Sequence, residues 1–581
     1  MNAAQLIDHF DRISDAPDAI RCLRRFILDL AVRGKVVEQE PNDEAASELL
    51  KRIQAEKTRL IKERKIRKQE PTLPVEMGDQ PFELPTSWEW VRFGGIADFS
   101  AGRTPSRHDF SYWNTGDYPW VSIADMTDGG VVVTTKETVS EKAKDHVFRS
   151  EPVPVGTLIM SFKLTIGKIS RLGVPAFHNE AIISIHPHLA AMDAYLFKVL
   201  PRFSQQGDTK DAIKGATLNR ESITNIFLPL PPLAEQHRII AKVDELMTLC
   251  DRLETAKAER ENRRDKLAAA SLHRLNNGVD ADEVREHARF HLRHLPRLTT
   301  RPEHTQQLRQ TILNLAVRGK LVPQDFNDEP SSELVKRIQV EKEQMVKKGT
   351  IKRLNPAPQI DAAEVPAEVP DSWIWARLSD LMCGESQNGY SKKPDDALDG
   401  IPILRISAGT VRRDGIVAEE EHKLISGVTA AQQEQYLLQP GDLLACRFNG
   451  NRGFVGRLSL YLGYLGIKPI YPDKLIRLRM HSQLVLPKLI RCFSESNIVR
   501  SDIESYCATT VGNWGISAAN LKLVKFPLPP LAEQHRIVAK VDELMALCDR
   551  LEAQLTTTQT ESRRLLEAVV HEALNGSIHI N

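Results

Sequence analysis

The sequence predicts an α+β chain: two mixed α/β bodies joined by long helical segments, the whole written as an internal repeat. Three observations predict it. The block Pro231–Glu254 returns as Pro529–Glu552 with two substitutions, Ile240/Val538 and Thr248/Ala546. Between such blocks lie Gly-, Val-, Ile- and Thr-rich stretches punctuated by turn sequences, which read as strands. Within the blocks, Ile239, Val243, Leu246, Cys250 and Leu253 step 4-3-4-3, a heptad seam that Ile537, Val541, Leu544, Cys548 and Leu551 repeat.

The earlier elements repeat as well. Leu28–Val37 and Leu313–Val322 match at an offset of 285, as do Ser47 and Ser332, each opening SEL(L/V)KRIQ(A/V)EK. Ser87-Trp88-Glu89-Trp90 pairs with Ser372-Trp373-Ile374-Trp375, and Gly156 with Gly441. Each copy therefore opens with helices starting near Ala45 or Pro330. Gly34 and Gly319 sit where a preceding helix would be C-capped. A linker follows with Pro71, Pro74, Pro81 and Pro85, or Pro356, Pro358, Pro366 and Pro370. Strands are expected at residues 120–123, 130–135, 157–162, 182–186, 402–406, 442–447 and 474–479. Pro232 or Pro530 then starts a long helix, to about 275 or 575. The resulting divisions are 1–80, 81–229, 230–366, 367–527 and 528–581. The helical copies are almost identical and the bodies are not.

Composition narrows the function. At about 150 residues per domain, 581 residues would make roughly four domains. The 78 Lys+Arg against 77 Asp+Glu exclude a protein that coats nucleic acid by bulk charge, but not one that reads it locally. No apolar run is long enough for a membrane span. Residues 1–25 carry Asp8, Asp11, Asp15 and Asp18 without an apolar core, which argues against a signal peptide. Seven cysteines without CxxC pairing point to free thiols in a reducing compartment, the cytoplasm, and to no metal site. No Walker A run is present: Gly34-Lys35 and Gly319-Lys320 are followed by Val and Leu. The Asn355-Pro356-Ala357-Pro358 stretch lacks the aromatic residue of an amino-methylation tetrad. Asp125 with Asp145, or His186 with His188, could be paired for catalysis, but neither pair has a nucleophile beside it.

The doubled PLPPLAEQHRI(I/V)AKVDELM block, the two LAVRGK(V/L)V blocks and the paired SWxW motifs resemble the specificity subunit of type I restriction-modification enzymes, over essentially the whole chain. The resemblance implies two target recognition domains, each reading half of a bipartite asymmetric DNA sequence. It implies antiparallel helical coiled-coil spacers, related by a pseudo-two-fold repeat, that dock two modification (methyltransferase) subunits and through them restriction subunits. S-adenosylmethionine, ATP and Mg then belong to those partners; this chain has no cofactor and no catalytic centre. The docking residues would be Ile239, Val243, Leu246, Leu253, Ile537, Val541, Leu544 and Leu551. A tandem coiled-coil adaptor for protein partners is the competing reading.

Base readout needs Arg, Lys, Asn, Gln or Ser side chains on a rigid body. In the first body the candidates are Arg103, Thr104, Ser106 and Arg107, then Ser122 and Lys163, the last in a segment parallel to Arg447. In the second they are Tyr390, Ser391, Lys392, Lys393, Arg405, Arg447, Asn449, Asn451 and Arg452. The Phe448–Gly453 stretch reads either as a β-hairpin turn or as a DNA-facing loop. Tyr112, Trp113, Tyr118 and Trp120 could stack on nucleotides or fill a core. Residues 85–228 hold 15 basic and 15 acidic residues, and 371–526 hold 19 and 16, so positive charge must gather on one face. A segment of about 35–45 residues spans roughly 50–70 Å as helix, against about 34 Å per duplex turn.

Overall fold

The computed structural model describes residues 15–16, 18–66, 75–163, 165–204, 210–212, 215–278, 281–351, 358–510 and 512–575. Pro71, Pro74, Pro356 and residues 1–14 lie outside them. The chain forms two units, residues 1–259 with 559–581, and residues 260–558.

In the first unit, α1 (Ala19–Val32) ends where Lys35 N–H bonds Leu30 O at 2.9 Å, with Gly34 at φ 68°. This is the C-cap the glycine predicted. After α2 (Ala46–Lys62), the body opens on β1 (Glu89–Arg92). Its main sheet is built from β2 (Ala97–Ala101), β4 (Gly130–Val132), β6 (Leu158–Ser161), β7 (Ile169–Leu172) and β9 (Ile182–Pro187), in the order β2-β9-β6-β7-β4. Only the β4–β7 pairing is parallel. Beside it, β3 (Trp113–Val121) pairs with β5 (Glu137–Val139) and β8 (Phe177–His178). Continuous burial along β6, and nearly so along β9, matches their apolar sequences and places them at the sheet's centre. Helix α3 (Asp193–Ser204) covers this sheet with Tyr195, Leu196, Val199 and Leu200. After the short strands β10 (Lys210–Ala212) and β11 (Gly215–Thr217), β12 (Phe227–Leu230) returns antiparallel to β1 and leads into α4 (Leu233–Asn277).

In the second unit, α5 (Ala281–Leu298), α6 (Pro302–Val317) and α7 (Ser331–Lys347) precede the body. It opens on β13 (Ile374–Arg377). A sheet follows of β14 (Gln387–Asn388), β17 (Leu443–Cys446), β19 (Leu458–Leu460) and β20 (Leu475–Leu478), in the order β14-β20-β17-β19, with β15 (Ile401–Leu404) and β16 (His422–Ile425) as a separate ribbon. A third sheet orders β18 (Phe448–Asn449), β22 (Asn513–Gly515) and β21 (Ala508–Thr510) as β18-β22-β21. Helices α8 (Pro487–Ser494) and α9 (Asn497–Ser505) pack over the core. Strand β23 (Lys525–Leu528) closes on β13 and leads into α10 (Leu531–Asn575). The expected strands and helices thus form, except that β15 ends two residues early and β4 three, and that 120–123 is the end of the longer β3, which stops at Val121.

Both bodies are pinned to the helix that follows them by the same contacts. Trp88 Nε1 donates to Glu235 at 2.9 Å and Gln39 Nε2 to its other oxygen at 2.5 Å. Trp373 and Gln324 do this to Glu533 at 2.8 and 2.5 Å. Arg238 pairs with Asp43, and Arg536 with Asp328. Glu235 and Glu533 are each 1% exposed, and burial pushes both carboxyls up from 4.5.

The heptad stripes lie in this core too. Ile239, Val243 and Cys250 pack with Ile27, Ala31 and Trp88, and Leu246 flanks them. Ile537, Val541 and Cys548 pack in the second unit's core, flanked by Leu544. The expectation that Ile239, Val243, Ile537 and Val541 dock partners is therefore corrected: the chain's own α1, α6 and tryptophans cover them, leaving at most 2% exposed. Leu246, Leu544 and Leu551 are half-buried, and Leu253 is 47% exposed.

Replacing Trp373 by Phe keeps an aromatic side chain but removes the pyrrole ring that carries the donor to Glu533. We expect this substitution to lower stability by about 1–3 kcal/mol in chemical denaturation, the cost of an under-satisfied buried polar group. Because Glu533 has a raised folded pKa, its ionisation costs stability as pH rises above 4.5. Glu533→Gln should flatten that slope.

Candidate nucleic-acid interface

In each body a glycine carries the first candidate loop past a neighbouring strand. A Cβ on Gly102 would stand 1.9 Å from His178 O, and one on Gly389 would stand 2.3 Å from Tyr471 O. No side chain fits either approach. The next residue in each case bonds that carbonyl: Arg103 N–H to His178 O at 2.9 Å, Tyr390 N–H to Tyr471 O at 2.8 Å. Arg103 and Tyr390, and after them Thr104 and Ser391, therefore hold like places, an equivalence that their unlike sequences conceal.

The first loop walls an open cleft of about 550 Å³ lined by Gly102, Arg103, Thr104, His146, Val147 and Glu180. Arg103 Nη1 donates to Val147 O at 2.5 Å, and Thr104 Oγ1 to the Glu180 carboxylate. The cleft thus offers a guanidinium and a carboxylate side by side, which suits a base edge that presents both acceptors and an amino donor. Beneath it, His178 is 3% exposed, and burial pushes it down to about 4. Sequence reasoning missed Glu180, His146 and His178, which lie 42 to 78 residues from the Gly102–Thr104 loop.

Other first-body candidates are occupied. Arg107 pairs with Glu137 and lies 3.7 Å over the Trp113 ring, so it closes the small β3–β5–β8 core. Ser122 donates to Asp125 at 2.6 Å. Ser106 is exposed, while its carbonyl accepts from Trp113 Nε1 at 3.0 Å. Trp113 and Trp120 are 8% and 2% exposed and pack with Phe148 and Phe177, so the stacking reading is overturned for them. Tyr112 and Tyr118 pack on the same core. Lys163 lies 5.4 Å over Phe162. It is Phe162 that takes the place of Arg447: each carbonyl accepts a 3.0 Å bond, from Leu218 and Ile516.

In the second body, β17 delivers Arg447 to an aromatic and basic cluster. Arg447 lies 4.8 Å over Phe448 and Lys474 5.1 Å over the same ring; Arg452 lies 4.9 Å over Trp514. Arg447 Nη1 donates to Asp473 O at 3.2 Å, while its Nε is buried with no hydrogen-bond partner among the described residues. The Asn449 and Asn451 carboxamide oxygens accept from Asn451 N and Gly453 N, each at 2.9 Å, which fixes the turn. The Phe448–Gly453 stretch is thus strand β18 followed by a tight turn, laid against the β21–β22 hairpin. Its turn and Asn513 are neighbours: a Cβ on Gly450 would lie 3.7 Å from Asn513 Oδ1. Lys474, Asn513 and Trp514 are the cluster members the sequence did not reveal.

The remaining candidates lie around other loops. Tyr390 meets Tyr436 edge-on at 5.5 Å, and Ser391 and Lys393 are exposed. Lys392 Nζ donates to Ser426 O at 3.0 Å, and Arg405 stands 3.7 Å from Glu421. Among the described residues no group of three His, Cys, Asp or Glu could hold a metal ion. None of the described helices is long and apolar enough to cross a membrane. Asp125 is engaged by Ser122 and the Lys136 amide, and His188 is 5% exposed and pushed down to about 4 by burial.

Comparison with known proteins places the chain in a family. Residues 85–261 and 496–558 match the family model described as the type I restriction modification DNA specificity domain. The chain is 32% identical over 569 residues to the type I restriction enzyme EcoEI specificity subunit of Escherichia coli, covering 96% of this chain and 94% of that one. It is 31% identical to the EcoAI specificity subunit of Escherichia coli, with the same coverages. A chain from a structure solved for complex assembly and conformational transition of the type I R-M system matches 86% of this chain and 100% of its own, at 18% identity and TM-score 0.48.

Acid should weaken the first body through His178. Its folded pKa is lowered from 6.5 to about 4, so the unfolded chain binds more protons and stability falls as pH drops from 6.5 towards 4. At about 1.4 kcal/mol per pK unit, we expect His178→Gln to show an acid loss smaller by about 2–3 kcal/mol, read by denaturation at stepped pH.

Proposed function

Because this chain belongs to the specificity-subunit family of type I restriction enzymes, the DNA-recognition component of those systems, we propose that its two bodies each read one half of a bipartite, asymmetric target. The observation that carries this is the contrast within the chain. The helices and joints are written twice almost unchanged, whereas the two reading surfaces differ: a cleft with Arg103 and Glu180 in one body, an Arg/Lys/Asn/aromatic cluster in the other. Two unlike readers on one repeated frame suit an asymmetric site. Arg452, Asn449, Asn451, Lys474 and Asn513 supply donors of the kinds that read base edges, and the exposed basic residues supply phosphate contacts.

The long helices α4 and α10 would serve as antiparallel coiled-coil spacers, related by a pseudo-two-fold repeat, that set the distance between half-sites. At 45 residues each, they are about 68 Å long. Two modification subunits, and restriction subunits through them, would dock on exposed helical surface such as that around Leu253, because the inner heptad positions are covered. S-adenosylmethionine, ATP and Mg would belong to those partners, and this chain would act without a catalytic centre of its own in the cytoplasm. Family membership favours this over the tandem adaptor.

Co-expression with the modification subunit, followed by methylome sequencing, tests the reading. A single bipartite adenine-methylated motif is expected, and no motif would refute it. Exchanging residues 85–228 for another such body should alter one half only; changes in both halves would count against separate readers. Inserting one helical turn near Arg260 should lengthen the unspecified spacer, and an unchanged spacer would sink the ruler.

A further inference from the structure

The last twelve residues of α5, His287–Leu298, carry three arginines and three histidines and no carboxylate. Arg289, Arg293 and Arg297 follow one another at four-residue steps. With 3.6 residues per turn, each step advances about 6 Å and rotates only about 40°, so the three form one row. The inner face of α5 is fixed elsewhere. Ser271 Oγ meets His291 Nδ1 at 3.0 Å, and Val284 packs with Leu275 and Leu315. All three arginines are exposed, and none has a hydrogen-bond or ion-pair partner among the described residues.

Several neighbouring arginines of this unit are held by carboxylates instead. Arg285, one step earlier in the row, is held by Asp282 at 2.7 Å, and Arg309 by Asp549 and Glu552 at 2.6 and 3.0 Å. Like charges four residues apart repel along the helix, while Arg297 in the last turn complements the helix dipole. The row is not part of the repeated frame: at the 285-residue offset the first copy has Ala4, Asp8 and Arg12. In chain order the row falls between the two bodies.

We propose that Arg289, Arg293 and Arg297 form a phosphate-binding ladder that lies along the duplex backbone and supplies sequence-independent affinity. This rests on the DNA-reading function above. The ladder spans about 12 Å, and one strand presents a charge about every 3.4 Å of axis, so three guanidiniums face three to four phosphates. Bodies with balanced charge gain little from bulk attraction, and a separate cationic row provides it. A protein partner would be held by an apolar centre with a polar rim. Here the guanidiniums run along the face, and Phe290 and Leu292, 44% and 63% exposed, stand to either side, so the test below separates the duplex from a protein partner.

The test is the salt dependence of binding by the full chain to a random-sequence duplex. Replacing the three arginines by glutamine should lower the slope of log K against log salt by about 0.9 per arginine, while the methylated motif stays the same. The three-lysine variant keeps the charge and should restore the slope. An unchanged slope in the glutamine variant overturns the ladder, and so does a lysine variant as weak as the glutamine one. Loss of modification-subunit capture with an unchanged slope would also overturn it, making the row a protein dock. A slope that falls as expected in a chain that directs no methylation would leave the ladder standing and refute the half-site reading.

Discussion

Each unit depends on one buried carboxylate. Glu235 and Glu533 sit three residues into their long helices, and each accepts a tryptophan N–H and a glutamine N–H. The tryptophan belongs to the approach to the body, the glutamine to the helical segment before it, and the glutamate to the helix after it. Three stretches far apart in sequence therefore meet at one group. Leaving such a group under-satisfied costs about 1–3 kcal/mol, so the three must be in place together. The arginine–aspartate pairs beside it, Arg238–Asp43 and Arg536–Asp328, tie the same segments a second time.

This joint explains why bodies of unlike sequence fit a near-constant frame. Each body leaves and returns through one antiparallel ribbon, β1 with β12 or β13 with β23, next to the joint. Everything between the two strands of the ribbon can change so long as its ends meet. The two main sheets differ in order and strand number, yet both ribbons run in equivalent register, with Trp90 opposite Pro229 and Trp375 opposite Pro527.

The frame was legible in the sequence because local rules govern it. Heptad spacing, C-capping at Gly34 and Gly319, and strands such as 157–162 follow from periodicity and turn chemistry. The sites were legible only in part, because tertiary partners decide them. Arg107 has the residue type of a DNA reader, but Glu137 and Trp113 claim it. Ile239 and Val243 form a seam whose partner is the chain itself, and periodicity cannot say which surface covers a stripe. Lys474 reaches the Arg447–Arg452 cluster from the turn before β20 and Trp514 from β22, where no local pattern marks them.

The same partners give the near-zero net charge its physical sense. A carboxylate such as Glu180, held in a cleft beside Arg103 and bonded by Thr104, weakens general attraction to phosphate. It also penalises any base edge that turns an acceptor towards it. Discrimination is a difference of affinities, and a repulsive group against the wrong partner raises that difference as surely as a new contact to the right one. On the proposed reading, a body built this way gives up non-specific affinity, which surface outside the reading site would supply. On that reading, near-balance of charge within each body and an arginine row outside it that has no partner among the described residues follow from one division of labour.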